Sequence, residues 1–537
     1  MIFFVADLFV ENYIGGAELT SEAVINDGLI PVKKIHSQFV NVDFMKSNHD
    51  KFWIFGNFSN LDENCILYAI KNLNYSVLEY DYKFCSFRLP EKHIDEAGLC
   101  DCRDSKRGKL ISIFYKKAIS TWFMSDVQRQ KYIDNYEFLN CDSVKTLSSV
   151  FSDDTIAYLE SLDINNKNNK WLILNSQSWV KGVDIAVNHA LKNNLEYELV
   201  SGLSHRDFLK KMSQSKGVIY LPPGGDTCPR FIIEAKILGC ELIINENIQH
   251  KNEPWFDSRQ SILKYLKDRT RVFWRDIESK WNIDTPKNNT PGKHKFNVIV
   301  PFYNAEKWIL KCIKSVMNQT HSNFTCYLIN DMSTDNSSLL IKELIAEDDR
   351  FVFIDNNKKR YALSNIVNTI VDFSHELEDI NIILDGDDWF SSYNVLSYLD
   401  NLYTTETCLM TYGSYVYYPN GNKGVEPSQY PHEVIESNSF RKDSWRASHL
   451  RTFKTRLFSK LNLDDLIDDD GHYYKTAYDQ ALMLPLLEMA GYRAKYVDKI
   501  LHVYNRANPL NVDKIKQKIQ SETAQKVRSK KPYERQF

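Results

Sequence analysis

Short apolar segments alternate with amphipathic segments along the whole chain. Residues 2–5, 171–175 and 296–301 are largely apolar runs, short enough to be buried strands. The clearest helical pattern follows Pro301, with Asn304 as a candidate N-cap. One face of this helix would carry its apolar residues: Trp308, Ile309, Cys312, Ile313, Val316 and Met317. Strands that alternate with amphipathic helices predict an α/β fold with parallel sheets.

Two polar segments divide the chain. Residues 284–295 contain two prolines and a glycine and show no hydrophobic period, which predicts a linker. The polar residues 165–170 separate two smaller units that precede it. We therefore expect a lobe at 1–165, a lobe at 166–285, the linker at 284–295, a domain at 296–510 and a basic tail at 511–537.

Composition narrows the class of protein. The chain has 537 residues, enough for about three or four domains of ~150 residues each. Its formal net charge of −3 excludes a globally basic nucleic-acid-binding protein, although not a local basic patch. No apolar run approaches the ~18 residues that span a bilayer, and the first residues lack the basic region of a signal peptide. Ten unevenly spaced cysteines do not suggest a disulfide framework, so we expect a cytoplasmic protein.

A cluster of acidic residues follows the predicted strand at 380–384. Asp385, Asp387 and Asp388 lie within four positions, with Gly386 between them. Carboxylates this close raise one another's pKa unless a cation neutralises them, and their hard oxygen atoms suit Mg²⁺ or Mn²⁺ on a diphosphate. Because ligands of open α/β sheets sit beyond the carboxyl ends of the strands, we expect the polar residues that follow neighbouring strands to face the same crevice. Those residues are Tyr303, Asn304 and Asp331.

Four ordered segments extend this prediction. Residues 298–304, 328–337, 360–365 and 383–389 resemble the motifs of the family 2 glycosyltransferases, which have a GT-A nucleotide-sugar-binding fold. The resemblance covers about 296–510. It implies an inverting, metal-dependent transfer of a sugar from a nucleotide-sugar, with UDP as the expected nucleotide, to an acceptor hydroxyl. Asn330 and Met332 depart from the family's acidic residue and glycine, which leaves the donor's identity open.

The resemblance assigns roles to individual residues. Asp331 would contact the nucleobase, Asp385 the ribose or the metal, and Asp387 the metal. His502 is either a third metal ligand or a packed histidine. The donor-binding set as a whole is Pro301, Tyr303, Asn304, Asp331, Arg360, Asp385 and Gly386.

The general base is expected at Asp479, before a predicted helix. An Asp at a helix start is also a common N-cap, and both roles are compatible. The rival segment is 468–470, whose three acids are typical of a solvated turn or of the rim of an acceptor site.

The acceptor prediction depends on charge. Residues 441–460 carry seven Lys or Arg against one acid, and the tail carries eight against three. Aromatic residues among cations suit an anionic acceptor such as DNA, a phosphorylated or surface glycan, or a lipid phosphate, whereas the alternative is a solvated helix face. The candidate acceptor residues are Trp445, Arg446, His449 and Arg451.

The N-terminal half carries a second, weaker resemblance. Gly15 and Gly16 follow the first strand and would open a helix, a position that suits a phosphate. Residues 179–182 and 222–239 resemble family 4 glycosyltransferases of the two-lobed GT-B fold, built from Rossmann-like lobes. In that family the positions of Lys181, Asp226 and Glu234 bind the donor. No Arg precedes Lys181 by a few positions, so one cation would face two phosphates, and we expect an acceptor-binding scaffold rather than a second transferase.

Cysteines near residue 100 raise the question of a metal. Cys85, Cys100 and Cys102, with His93 between them, offer four ligands that tetrahedral Zn²⁺ accepts. Their spacing matches none of the common short zinc motifs, so reduced thiols are the favoured interpretation and a structural Zn²⁺ the alternative.

As a whole the chain resembles tandem glycosyltransferases of tailed phages. This resemblance implies a hydroxymethylated DNA base as a possible acceptor, in the host cytoplasm. The alternatives are a polysaccharide or cell-surface glycan acceptor, or a non-catalytic scaffold that binds carbohydrate or DNA. The oligomeric state is left open.

Overall fold

The computed structural model of the protein describes residues 1–281, 292–373, 375–510 and 517–537. Two compact units are distinguished. The N-terminal unit comprises residues 1–28 and 32–281, and the C-terminal unit comprises residues 29–31 and the described residues from 292 onward.

The N-terminal unit begins with a six-stranded parallel sheet of order β2-β1-β3-β4-β5-β6. Its strands are β1 (Ile2–Ala6), β2 (Val32–His36), β3 (Phe52–Phe55), β4 (Asn74–Glu79), β5 (Ser120–Phe123) and β6 (Val144–Thr146). Its helices are α1 (Gly16–Asp27), α2 (Val42–Ser47), α3 (Glu63–Asn72), α4 (Pro90–Ala97), α5 (Lys106–Lys117), α6 (Asp126–Asn135) and α7 (Asp153–Ser161). Every residue of β1 is buried, which confirms the strand predicted at 2–5.

A second parallel sheet follows, of order β10-β9-β7-β8. Its strands are β7 (Trp171–Leu174), β8 (Tyr197–Val200), β9 (Gly217–Tyr220) and β10 (Glu241–Ile244). The helices are α8 (Val183–Lys192), α9 (His205–Ser213), α10 (Arg230–Ile237), α11 (Arg259–Leu266) and α12 (Arg269–Trp281).

Helix α12 packs on the first lobe rather than the second. The Phe273 ring lies 5.6 Å from that of Trp122, and Nε1 of Trp274 donates a hydrogen bond to the carbonyl of Val24 at 2.9 Å. The predicted lobe at 166–285 therefore ends structurally before α12, because the apolar face of this helix completes the core of the first lobe.

The C-terminal unit contains an eight-stranded sheet of order β13-β12-β11-β14-β17-β16-β18-β15. Its strands are β11 (Phe296–Phe302), β12 (Phe324–Asn330), β13 (Phe351–Asp355), β14 (Ile380–Ile383), β15 (Trp389–Phe390), β16 (Met410–Tyr418), β17 (Arg451–Lys454) and β18 (Ala494–Asn505). The helices are α13 (Ile309–Met317), α14 (Ser337–Ile345), α15 (Tyr361–Asp372), α16 (Val395–Thr405), α17 (His432–Glu436), α18 (Thr455–Phe458), α19 (Tyr478–Ala490) and α20 (Gln517–Ser529). The first four strands of this order are parallel, as predicted, and β17 pairs antiparallel with β14 and β16.

Helix α13 begins later than predicted. Asn304 has a left-handed φ of 49° and its Oδ1 accepts a hydrogen bond from the backbone N–H of Thr334 at 2.8 Å. It therefore caps no helix, and Trp308 is the N-cap residue. The predicted apolar face is nevertheless correct at its centre, where Ile309, Cys312, Ile313 and Val316 are buried.

Both predicted ends of the C-terminal domain shift. Residues 284–291 of the predicted linker lie outside the described residues, and His294 already belongs to the domain, since its N–H donates to Oδ1 of Asp400 at 2.8 Å. In the tail, residues 511–516 lie outside the described part. The remainder forms α20 and packs back on the domain, where Val527 is 2% exposed and Nη1 of Arg528 donates to the carbonyl of Asp443 at 2.7 Å.

The tail is thus largely a packed element, because its helix has an apolar residue to bury and cations that reach main-chain carbonyls. Among the helices in the described ranges, none combines the length and the apolar character that a membrane span requires.

Candidate active site

The acidic cluster lies where β14 ends. The backbone N–H of Gly386 donates to the carbonyl of Pro301 at 3.1 Å, which ties the cluster to the end of β11. A Cβ atom on Gly386 would stand 2.4 Å from Cβ of Phe302. Glycine is therefore required here by the close approach of the two chain segments.

Neutral groups satisfy two of the three carboxylates. Oδ2 of Asp387 accepts a hydrogen bond from Nδ2 of Asn508 at 2.7 Å. Asp388 is fully buried, and its two oxygens accept from the backbone N–H of Asn505 at 2.8 Å and from Nε2 of His502 at 2.9 Å. Burial lowers the pKa of His502 to about 3, so the ring is neutral.

The cluster therefore carries more negative charge than its surroundings compensate. Burial and then the charge of Asp388 raise the pKa of Asp387 to about 8, and burial and then the charge of Asp385 raise that of Asp388. Three carboxylates held together in this way suit a divalent cation with oxygen ligands. His502 contacts Asp388 and packs in the core. Together with His449, these two residues form a compact, buried group whose ligand atoms are close enough to hold a metal ion, so both predicted roles of His502 stay open.

The predicted general base lies beside the cluster. Oη of Tyr478 donates to the two carboxylate oxygens of Asp385, at 2.8 and 3.1 Å. Asp479 is the next residue, half-buried in the first turn of α19. The N-cap of α19 is Ala477, so Asp479 is not a capping residue.

Arg451 connects these groups electrostatically. Burial alone would lower its pKa, but Tyr478 and then the carboxylates of Asp479 and Asp385 raise it. Its Nε and Nη1 atoms are buried without a geometric hydrogen-bond partner within the described residues. A buried cation with spare donors, next to the acidic cluster, is suited to bind an anion.

The rival segment at 468–470 forms a turn. Oδ1 of Asp468 accepts from the backbone N–H groups of Asp470 and His472, at 3.1 and 3.0 Å. Asp469 pairs with Lys526 at 2.7 Å, and both side chains are exposed. These contacts account for the acids without a catalytic role.

The remaining donor candidates occupy neighbouring strand ends. The N–H of Asp331 donates to the carbonyl of Phe302 at 2.9 Å. Its carboxylate accepts from the backbone N–H groups of Arg360 and Tyr361, at 2.8 and 3.0 Å, and so holds the start of α15. Nε of Arg360 is buried without a hydrogen-bond partner within the described residues, whereas Tyr303 is exposed.

The two departures from the family motif have structural explanations. Asn330 links β12 to β13, since its Nδ2 donates to Oδ1 of Asp355 at 2.8 Å. Its Oδ1 accepts from the N–H of Ser333 at 2.8 Å. Met332 has a left-handed φ of 69°, a conformation that glycine adopts at lower cost, and its side chain is exposed.

The residues predicted to bind the acceptor do not form an exposed surface. His449 and Arg451 are buried, and Trp445 is half-buried against the core. Arg446 pairs with Asp443 at 2.7 Å. Packing and internal contacts occupy these side chains, apart from the spare N–H donors of Arg451, because residues 441–460 run through β17 and into α18.

Three further cations of that segment are paired with acids, whereas Lys442 and Lys460 are exposed. Arg441 forms a buried ion pair with Glu488 at 2.7 Å, and Lys454 and Arg456 both pair with Glu378 at 2.9 Å. Residues 441–460 therefore do not present the continuous basic surface that their composition suggested.

Sequence reasoning missed three features of the acidic cluster. It did not predict the hydrogen bonds of Tyr478 to Asp385 and of Asn508 to Asp387. It also assigned Arg451 to an acceptor surface, whereas this residue lies next to the cluster. The only signal for Tyr478 was its position next to Asp479. Asn508 and Arg451 offered none, because strand order alone brings them to the cluster.

The N-terminal unit holds a separate cleft. A cavity of about 500 Å³ is lined by segments that follow strands of the first sheet and strands of the second sheet of this unit. All five predicted donor residues of this unit line it, namely Gly15, Gly16, Lys181, Asp226 and Glu234. Gly15 is the N-cap residue of α1, as predicted from the paired glycines.

Cations of the chain neutralise the acids of this cleft. Nζ of Lys181 lies 2.9 Å from Oδ2 of Asp226. Oε1 of Glu234 lies 2.8 Å from Nε2 of His205 and 3.2 Å from Nε of Arg230. Burial alone would raise the pKa of Glu234, but the hydrogen bond from His205 and the charges of His205 and Arg230 lower it.

This arrangement corrects one expectation. Lys181 is not the lone cation, since Arg230 also lines the cavity. Glu234 lies in the second turn of α10. Arg230 precedes Glu234 by four positions, so helical spacing could have identified it.

Comparison with known proteins addresses the C-terminal unit. Residues 297–468 match the family model described as glycosyl transferase family 2. This region is similar to a family 2 glycosyltransferase domain. The earlier resemblance is thereby confirmed for this region, whereas the comparisons do not establish the GT-B and phage resemblances.

Two curated relatives are similar to parts of the chain. Glycosyltransferase GlyA of Streptococcus pneumoniae is 25% identical over 235 residues, which is 39% of this chain and 30% of that protein. The teichoic acid poly(glycerol phosphate) polymerase of Staphylococcus epidermidis is 32% identical over 120 residues, 21% of this chain and 15% of that protein. The chain thus spans less than a third of the length of either relative.

Among solved structures, S. aureus TarS 1-349 in complex with UDP-GlcNAc is 19% identical, with a TM-score of 0.30 over 40% of this chain and 58% of that one. The mannosyltransferase PcManGT from Pyrobaculum calidifontis, in complex with GDP-Man and Mn²⁺, is 16% identical. Its TM-score is 0.29, over 44% of this chain and 63% of that one.

Proposed function

We propose that the C-terminal unit transfers a sugar from a nucleotide-sugar to an acceptor hydroxyl, with inversion at the anomeric carbon. The observation that carries the proposal is the meeting of Asp385, Asp387 and Asp388 with Tyr478 and the adjacent Asp479 at the carboxyl ends of parallel strands. The family 2 match over 297–468 supports the same reaction class.

Asp385 and Asp387 are the residues that would hold a divalent cation. Such an ion, when bound, neutralises the charge of the departing diphosphate. Tyr478 orients the carboxylate of Asp385 through its hydrogen bonds. Arg360 and Arg451 offer buried N–H donors for the anionic part of the donor.

Asp479 acts as the general base. It takes the proton of the acceptor hydroxyl while the acceptor oxygen forms a bond to the anomeric carbon. The bond from that carbon to the diphosphate oxygen breaks, and the electron pair leaves with the nucleoside diphosphate. Because attack and departure occur on opposite faces, the configuration inverts.

A glycan hydroxyl is the acceptor that the observations favour. Five of the seven cations in 441–460 are buried or paired with acids, which weakens the main argument for DNA. One relative is named for teichoic acid, which fits a polysaccharide or surface-glycan acceptor.

A second nucleotide-sugar site in the N-terminal cleft is also proposed. The specific observation is that the five residues assigned from the family 4 resemblance line a single cavity with Arg230 and His205. The added cations weaken the argument that this unit is only a scaffold, because more than one positive group lies in the cleft.

A donor panel tests the main proposal. The full chain is incubated with UDP-, GDP- and TDP-sugars, with Mn²⁺ or with EDTA, and released nucleoside diphosphate is measured. We expect release from one donor class with Mn²⁺ and none in EDTA. No turnover of any donor, together with no metal-dependent nucleotide binding, would favour a non-catalytic scaffold.

The acceptor is tested with the donor so identified, by comparing glycan acceptors with a hydroxymethylated DNA duplex. Sugar transfer to the duplex, with binding that weakens steeply with salt as phosphate contacts require, would reverse the preference for a glycan.

A further inference from the structure

We infer that Cys85, His93, Cys100 and Cys102 form a structural zinc site in the N-terminal unit. These four residues, called here the Cys₃His cluster, come from three different segments. Cys85 lies in the loop after β4, His93 in α4, and the other two in the loop before α5. The four candidate ligand atoms all lie within 4.8 Å of one another.

The distances match the geometry of zinc. A tetrahedron with Zn–S bonds of about 2.3 Å and Zn–N of about 2.1 Å has S···S edges of about 3.8 Å and S···N edges of about 3.6 Å. Sγ of Cys85 lies 3.7 Å from Sγ of Cys100 and 3.7 Å from Nδ1 of His93. Sγ of Cys102 lies 3.4 Å from the same Nδ1 atom. A disulfide would instead bring two sulfurs to about 2.05 Å.

Local contacts hold the ligand side chains of the Cys₃His cluster in place. The Phe87 ring stacks on that of His93 with centroids 4.6 Å apart, which fixes the orientation of the imidazole. Gly98 ends α4 with a left-handed φ of 79° and turns the chain back toward the helix. The hydroxyl of Ser105 donates to the carbonyl of Cys102 at 2.6 Å and its oxygen caps α5, which holds that cysteine in place.

Helix α4, which contributes His93 to the cluster, is held by little apolar packing of its own. None of the eight residues of α4 is buried, and Ile94 and Leu99 are largely exposed. A helix that buries so little apolar surface gains little stability from packing. A metal that cross-links both flanks of α4 supplies the missing constraint.

The site is structural rather than catalytic. Four protein ligands complete the tetrahedron and leave no position for water or substrate. The segment it fixes borders a second cavity of about 510 Å³, which Tyr82, Arg88 and Leu89 line together with Asp226. Asp226 also lines the N-terminal cleft, so zinc would hold one wall of a cavity that adjoins the cleft.

The experiment is metal analysis of the full chain, expressed with zinc and purified without chelator. We expect about one tightly held zinc per chain. Cys100→Ser and His93→Gln should each lower this content severalfold, whereas Cys141→Ser, a matched thiol outside the cluster, should not change it. Asp387→Asn should also leave it unchanged, which separates this site from any metal bound at the acidic cluster.

A measurement on the unaltered chain tests the proposal even if the variants fail to fold. Replacement of zinc by Co²⁺ should give the intense visible absorption of a tetrahedral site and thiolate charge transfer. Absence of zinc together with freely titratable thiols, a disulfide among the three cysteines, or zinc that Cys100→Ser retains would each overturn the proposal.

Discussion

The two clefts of this protein neutralise their carboxylates in opposite ways. In the N-terminal cleft Asp226 is paired with Lys181, and Glu234 with Arg230 and His205. At the acidic cluster of the C-terminal unit, Asp387 accepts a hydrogen bond from an asparagine and its pKa is raised to about 8, by burial first and then by Asp388.

This difference indicates that the two clefts obtain the positive charge for binding a diphosphate from different sources. A donor diphosphate needs cations in either case. The carboxylates of the N-terminal cleft are paired with cations of the chain, whereas the carboxylates of the acidic cluster outnumber the adjacent Arg451 and repel a diphosphate until a divalent ion joins them. We therefore expect nucleotide binding to depend on metal in the C-terminal unit and to be independent of it in the N-terminal unit.

Removal of metal should give the largest effect. In Asp387→Asn, or in excess EDTA with the unaltered chain, transfer should fall by about 10⁴-fold, since a metal ion contributes several kcal/mol to stabilising the developing charge. Asp470→Asn, in the exposed turn at 468–470, is the matched control and should keep full activity. For each variant and for the unaltered chain in EDTA, the transfer rate is measured directly and nucleotide binding by calorimetry. Full activity in EDTA would show that the C-terminal unit needs no metal ion and that the two clefts do not differ in this respect.

Asp479→Asn should have the next largest effect. Transfer should slow by about 10²–10⁴-fold, the usual contribution of a positioned base, while metal-dependent donor binding stays intact. Single-turnover transfer and equilibrium binding of the nucleotide separate the two quantities. Asp470→Asn again serves as the control, and loss of donor binding in Asp479→Asn would show that this residue holds the donor rather than the acceptor proton.

Lys181→Gln should have the smallest effect. Nucleotide binding to the N-terminal cleft, measured in Asp387→Asn so that the other site is silent, should weaken about tenfold, equivalent to about 1.4 kcal/mol. Lys192→Gln, exposed at the end of α8, is the matched control. Identical nucleotide affinity with and without Lys181, or no binding at all, would return this unit to the scaffold interpretation.

Glu234 is less suitable for that test than its predicted role suggests. It is 2% exposed and shares its carboxylate with Arg230 and His205. Removing one partner of a buried ion pair typically costs about 3–5 kcal/mol of stability. A substitution there would confound ligand binding with folding, whereas Lys181 and Asp226 are more exposed.

Features encoded by neighbouring residues were predictable from the sequence. Alternating apolar runs fixed the strands at 2–5, 296–301 and 380–384, because strand burial depends on a few consecutive side chains. The positions of Asp331 and Asp385 after two predicted strands placed them at one edge of a parallel sheet, since all parallel strands end on the same side. Gly15 and Gly16 follow a strand in the same way, whereas Asp479 and Lys181 were predicted from the family resemblances.

Only the tertiary structure decided how charges and thiols are paired. The seven cations of 441–460 looked like a binding surface by composition, yet Arg441 and Arg451 are buried through contacts with residues distant in sequence. The Cys₃His cluster closes only because α4 and its flanking loops fold back on one another. The sequence by itself determined which side chains stand at strand ends, since that depends on local periodicity. The structure alone determined their partners, because pairing depends on which segments meet when the sheets assemble.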